Sequence, residues 1–163
     1  MKNDISINDE MTLRIRQAKD ADMPSILTIE QDSFGEPWCQ GDFDRQENAQ
    51  GMVAEHDDQV VGFVVYETRL GKIRILNIAA ADEYRRQCVG TQLIDALIAK
   101  LCPEKPRSIA IIIAETNAAA IEFVCKLGFR STKVLREHFN NQEDAIRFEW
   151  NLRGYREIAS SEA

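Results

Sequence analysis

No stretch of this chain is apolar over the roughly 20 residues that a membrane-spanning helix needs, and no apolar core follows Lys2. Neither a membrane span nor a signal peptide is therefore expected. Cysteine is sparse. The four (Cys39, Cys88, Cys102, Cys125) form no Cys-x-x-Cys pair and no framework spacing. A single domain of 163 residues can bury a core without staples, so reduced thiols in the cytoplasm are the expectation. With two histidines, no His, Cys and carboxylate set has metal-ligand spacing, and no metal is expected. Internal repeats and linkers are also missing, which leaves no domain boundary. An excess of positive charge is absent too. The net charge of −7 argues against direct nucleic-acid binding and favours cationic or amine partners.

What is present is an ordinary globular mixture, 44% apolar and 29% charged. Residues 1–11 are polar and read as a loose N-terminus, 12–152 as one folded domain, and 153–163 as a polar tail. The alternation of Leu13 and Ile15 predicts a strand over 12–18. Asp20 is placed to cap a helix through residue 31, with Met23, Ile26, Leu27 and Ile29 buried. Gly35 and Pro37 make Phe34 to Trp38 a loop, and a short helix fits 41–47. Strands are predicted over 52–56 and 60–68, joined by Asp57-Asp58-Gln59, and over 72–80 after Gly71. Val89, Leu93, Ile94, Leu97, Ile98 and Leu101 share a helix face, closed off by Pro103 and Pro106. The apolar run 109–114 suits a strand covered on both faces. A helix over 117–127 ends at Gly128, and the last strands are 129–137 and 145–152. The fold class implied is α/β or α+β, a sheet covered by helices.

One segment carries the chemistry. Between the strand 72–80 and its following helix lies Arg85-Arg86-Gln87-Cys88-Val89-Gly90-Thr91. A helix start offers unpaired N–H groups and a positive dipole end, the arginines add charge-assisted donors, and Gly90 permits close backbone approach. Together these suit a pyrophosphate; a merely solvated basic loop is the alternative. Cys88 reads as a steric substitute for a smaller residue, and Asn117 as a helix N-cap.

These motifs resemble the GNAT superfamily of acetyl-CoA-dependent N-acetyltransferases over nearly the whole domain. Arg85 to Gly90 is similar to the family's acyl-CoA loop, Arg/Gln-x-x-Gly-x-Gly/Ala. Ile75-Leu76-Asn77-Ile78-Ala79-Ala80 resembles the strand that pairs with the pantetheine arm. Asn117-Ala118-Ala119-Ala120-Ile121 with Leu127-Gly128-Phe129 matches the second family block. The resemblance implies a mixed, mostly antiparallel sheet of about 6–7 strands flanked by about 4 helices. It implies acetyl-CoA as acetyl donor, held by Ile78, Ala79, Ala80, Arg85, Arg86, Gln87, Cys88, Val89, Gly90, Thr91 and Asn117.

Ser33-Phe34-Gly35-Glu36-Pro37-Trp38 and Glu143-Asp144-Ala145-Ile146 look most like the RimI type, which acetylates the N-terminal alanine of a ribosomal protein. That likeness makes Phe34, Glu36 and Trp38 the substrate wall. It also exposes two departures: the type's general-base glutamate and general-acid tyrosine fall on Ile112 and Val124 in this sequence. His138 lies where the type has substrate-contacting tyrosines. It is either a substitute base or a plain surface strand residue.

A protein α-amine, with a pKa of about 7.7–8.0, is neutral far more often at neutral pH than lysine at about 10.4. A site without a dedicated base is thus less handicapped on an N-terminus. The partner implied is an amine, the N-terminus of a ribosomal or other protein, with no membrane and no direct nucleic-acid contact. The enzyme would act as a monomer or homodimer. A small-molecule amine acetyltransferase, and a CoA-binding module with little catalysis, remain open beside it.

Overall fold

The computed structural model of the protein describes residues 12–85, 88–140 and 142–152. The segments 1–11 and 153–163, read as loose end and polar tail, lie outside the described residues. Along the chain come β1 (Arg14–Gln17), a 3-10 turn (Asp20–Asp22), α1 (Met23–Ser33) and α2 (Gln40–Asp44). Three strands follow: β2 (Ala49–His56), β3 (Gln59–Arg69) and β4 (Lys72–Ala80). Then come α3 (Val89–Ile98), β5 (Ser108–Ala114), α4 (Ala118–Lys126), β6 (Arg130–Leu135) and β7 (Ala145–Asn151).

The strands form one sheet in the order β1-β2-β3-β4-β5-β7-β6, in which only β4 and β5 are parallel. Both early hairpins turn on two residues of positive φ, Asp57 and Asp58, then Leu70 and Gly71. That conformation matches the twist of paired strands and favours Asp and Gly. On one sheet face, Val89, Leu93, Ile94 and Leu97 of α3 and Val124 of α4 bury against Val64, Ile73, Ile109, Ile113 and Phe148. On the other, Ile26 and Ile29 of α1 pack on Val53, Phe63 and Val65. That second layer stops at β4, so the opposite side of β5, β7 and β6 has no helix over it among the described residues.

Two boundaries differ from the sequence-based expectation. Helix α1 starts at Met23 with Pro24 in its first turn, and Asp20 does not cap it. Asp22 is drawn elsewhere. Its carboxylate accepts two bonds from Arg16 (2.7 and 2.8 Å) and the Lys19 N–H (2.8 Å), and Arg16 also donates to Glu55 at 2.7 Å. The cluster locks β1, the turn and β2 together. Strand β6 ends at Leu135, because Glu137 takes a left-handed φ of 50° and gives its N–H to Asp144 Oδ1 at 2.8 Å. His138 is accordingly a loop residue and not a strand residue. Helix α4 matches its reading: the Asn117 side chain accepts the Ala120 N–H, and Gly128 ends the helix at φ 94°.

Candidate active site

Strand β4 makes the site. Its first half pairs with β5 from Lys72↔Ser108 to Ile75↔Ile111, and there the pairing ends. With β3 it continues to Gly62↔Ala80, across a register shift in which Leu76 is extra. A bulge of this kind re-aims side chains. Leu76 and Asn77 both turn toward α1, while Ile78 joins the core under α3. Beyond Ile75, then, β4 and β5 diverge, and the β5-facing backbone of residues 76–80 has no strand partner among the described residues.

The bulge is held by a residue that the sequence reading missed. Glu30 of α1 is 1% exposed. One carboxylate oxygen accepts the Asn77 amide at 2.8 Å and the other accepts the Trp38 backbone N–H at 2.9 Å. Burial pushes this carboxyl above the usual range, against the lowering effect of the two donors. Glu30 thereby ties the end of α1, the loop after it and the β4 bulge into one unit. The periodicity could have exposed it: position 30 shares the buried face of Ile26 and Ile29. The expected substrate wall divides in this structure. Trp38 is half-buried and stacks edge-on to Phe43 at 5.1 Å, while Phe34 and Glu36 are exposed beside it.

At the splayed end of β4 begins α3. Its first intrahelical bond runs from Gln92 N–H to the Cys88 carbonyl, so the N–H groups of Val89, Gly90 and Thr91 precede the ladder. Cys88 sits at φ 65°, the left-handed region that favours glycine. Arg85 folds back toward α1: it pairs with Asp82 and donates to Ser33 Oγ at 3.0 Å. Arg86 and Gln87 lie outside the described residues. Gly90 serves packing, since a Cβ there would meet the Phe123 ring of α4 at 3.0 Å. Gly62 is tighter still, since a Cβ there would lie 2.5 Å from Val89 Cγ1, so a bare backbone is what lets α3 dock on β3.

On the uncovered face lies a groove of about 620 Å³. Leu76, Ile112, His138 and Phe139 line the end nearest the β4–β5 divergence. Ile112 is half-buried there, whereas Val124 is 1% exposed inside the core against α3. The two positions thus have different freedom to change. The loop carrying His138 is anchored: its N–H donates to the Glu143 carbonyl at 3.0 Å, and Glu143 receives the Thr116 hydroxyl and N–H. Glu143 and Asp144 tie the β6–β7 loop to the turn before Asn117. Among the described residues no cluster of three or more His, Cys, Asp or Glu side chains is placed to hold a metal ion, and no helix is long and apolar enough to cross a membrane.

The sequence pattern of the Acetyltransferase (GNAT) family matches residues 23–129. An N-alpha-acetyltransferase of Sulfurisphaera tokodaii is 30% identical over 149 residues, spanning 81% of this chain and 89% of that protein. The crystal structure of the ribosomal-protein-S18-alanine N-acetyltransferase from Escherichia coli superposes with a TM-score of 0.77 at 25% identity, covering 86% of this chain and 94% of that one. Arabidopsis thaliana NAA60 in complex with acetyl-CoA shares the fold alone, with a TM-score of 0.76 at 16% identity over 87% of this chain and 99% of that one.

Proposed function

The chain belongs to the GNAT family of acetyltransferases, and from that premise we propose that it transfers acetyl from acetyl-CoA to a protein N-terminal α-amine. The observation that carries this is the divergence of β4 from β5 at the bulge, with the open first turn of α3 at one side and the groove at the other. A thioester laid along residues 76–80 meets an amine arriving from the groove.

The residues fit acetyl-CoA. The N–H groups of Val89, Gly90 and Thr91, beside Cys88, would receive the pyrophosphate, with Arg85, Arg86 and Gln87 adjoining them in the sequence as further donors. Small side chains at Ala79 and Ala80 leave the unpaired β4 edge accessible to the pantetheine arm, and Asn117 flanks the far side. Backbone N–H groups near Ile78 stabilise the oxyanion as the amine nitrogen bonds to the acyl carbon and the thiolate leaves. Holding both reactants together supplies much of the acceleration. The amine must first lose a proton. His138, which lines the groove, is the candidate acceptor, and Phe34, Glu36 and Trp38 are the candidate substrate contacts on the loop after α1. His138→Ala should then slow turnover by roughly 10²-fold or more.

An α-amine is favoured over lysine because Ile112 offers no base at the divergence, and an α-amine needs one least. The same apolar Ile112 supports the second reading, a CoA-binding module with weak catalysis. One assay separates them. Thiol release from acetyl-CoA is followed with Ala-starting peptides, lysine peptides, polyamines and aminoglycosides. Turnover confined to α-amine peptides supports the proposal; turnover only on the small amines, or none with CoA still bound, overturns it.

A further inference from the structure

The groove is basic in a chain that is not. Five cations line it: Arg69, Lys72, Arg74, Lys133 and Arg147, and no carboxylate does among the described residues. Two acids sit behind them. Glu67 pairs with Arg74 at 3.1 Å, and Glu149 with Lys72 at 2.7 Å and Arg147 at 3.4 Å. Arg69 and Lys133 are exposed and have no carboxylate partner among the described residues. Five cations against two acids leave the groove positive, in a chain whose net charge is −7. The positive character extends past it, since Lys72 also borders a recess of about 320 Å³ lined by Lys105 and Arg107.

Register gives the groove a direction. Ile112 pairs with Arg147, and Arg147 with Lys133, at the level of the divergence. Three rungs further on, Ile109 pairs with Ile73, and on the fourth Ser108 pairs with Lys72, which also pairs with Arg69. An extended peptide rises about 3.3 Å per residue. A chain whose first amine lies at Ile112 therefore passes the cations with about its next four residues. The floor between them is apolar (Ile75, Ala110, Leu135), as suits a peptide more than a phosphate backbone.

Resting on the acetyl-transfer reading above, we propose that the preferred acceptor is an acidic N-terminal segment, with Asp or Glu among the residues that follow the acetylated one. The whole-chain charge points the other way, toward cationic partners, but an acceptor meets the local field and not the sum. Single exposed ion pairs are weak and salt-sensitive; the preference comes from several acting on one short segment.

The test uses the full chain with acetyl-CoA and three peptides that begin with the same alanine and carry four acidic, four neutral or four lysine residues next. Thiol release gives kcat/KM, and fluorescence anisotropy gives binding independently of turnover. The expected result is a kcat/KM at least tenfold higher for the acidic peptide than for the lysine peptide, shrinking in 0.5 M salt. Arg69→Glu with Lys133→Glu, two exposed side chains with no ion pair to break among the described residues, should reverse the order. Equal turnover of the three within threefold overturns the acidic preference while leaving α-amine acetylation intact. No turnover of any peptide counts against the acetylation reading; the groove proposal is then decided by anisotropy, where failure to bind the acidic peptide overturns it. Displacement of the acidic peptide by an oligonucleotide of equal charge also overturns it, since the groove would be taking anions without regard to the peptide.

Discussion

Two buried carboxyls in this protein are shifted in opposite directions. Asp22 is held below the usual carboxylate range chiefly by the hydrogen bonds from Arg16. It binds protons less readily folded than unfolded, so its contribution is present above about pH 3.9 and lost as pH falls from there. Glu30 is raised by burial. Its contribution is complete below about pH 4.3 and is lost as pH rises through its elevated folded value. Glu30→Gln keeps an acceptor for the Trp38 N–H and removes the charge. The variant should lose the decline in stability across that upper window, read as urea midpoints at stepped pH. A decline of the same slope in wild type and variant would mean that Glu30 is not its source. Cys88 gives a second residue-scale expectation. A left-handed L-residue costs roughly 1–2 kcal/mol, partly offset by the greater unfolded freedom of glycine. Cys88→Gly should therefore stabilise by about 1 kcal/mol in urea titration, and a destabilised variant would show that the thiol makes a compensating contact.

At the scale of elements, much was legible, for identifiable reasons. β4 runs over 72–80 as expected because a positive-φ pair, Leu70 and Gly71, forces the start, and α4 is bracketed by a capping Asn117 and a terminating Gly128. What was hidden depends on pairs remote in sequence. Asp20 looked like a helix cap only because the hold of Arg16 on Asp22 is invisible in the string, and β6 stops early because Asp144 captures the Glu137 N–H. The groove is the extreme case. Its cations are scattered over 69–147 and become neighbours only through the strand order β3-β4-β5-β7-β6. The same distinction bears on Ile112 and Val124. Ile112 borders the groove, where a carboxylate can stay solvated. Val124 is enclosed against α3, where the added bulk of tyrosine overpacks the core at a cost of about 1–3 kcal/mol. Ile112→Glu alone should fold and raise turnover of lysine peptides more than of α-amine peptides, because lysine needs the base more. Adding Val124→Tyr should lower the melting temperature. An equal gain on both amines from Ile112→Glu would remove the base-deficit argument.

At the scale of the molecule, the described residues form two parts of one sheet, β1 to β4 and β5 to β7, joined by four parallel rungs, the Lys72–Glu149 ion pair and the core beneath α3 and α4. A ligand seated in the divergence would bridge the free edge of β4 and the first turn of α3. Binding to the folded state alone stabilises it by RT ln(1 + [L]/Kd), about 2.7 kcal/mol at one hundred times Kd. For a domain of this size that corresponds to a rise in melting temperature of about 5–11 °C. Acetyl-CoA should produce it, and amide exchange should slow where the site lies: along residues 76–80 and at Val89 to Thr91, with β1 and β2 changed least. The location matters more than the size of the shift. A thermal shift accompanied by protection spread evenly over the sheet would mean general tightening by an ion, and protection confined to the basic groove would place the cosubstrate on the acceptor side. Only slowing at the β4 edge together with the α3 turn fits a thioester held in the divergence, where an amine entering from the groove can reach it.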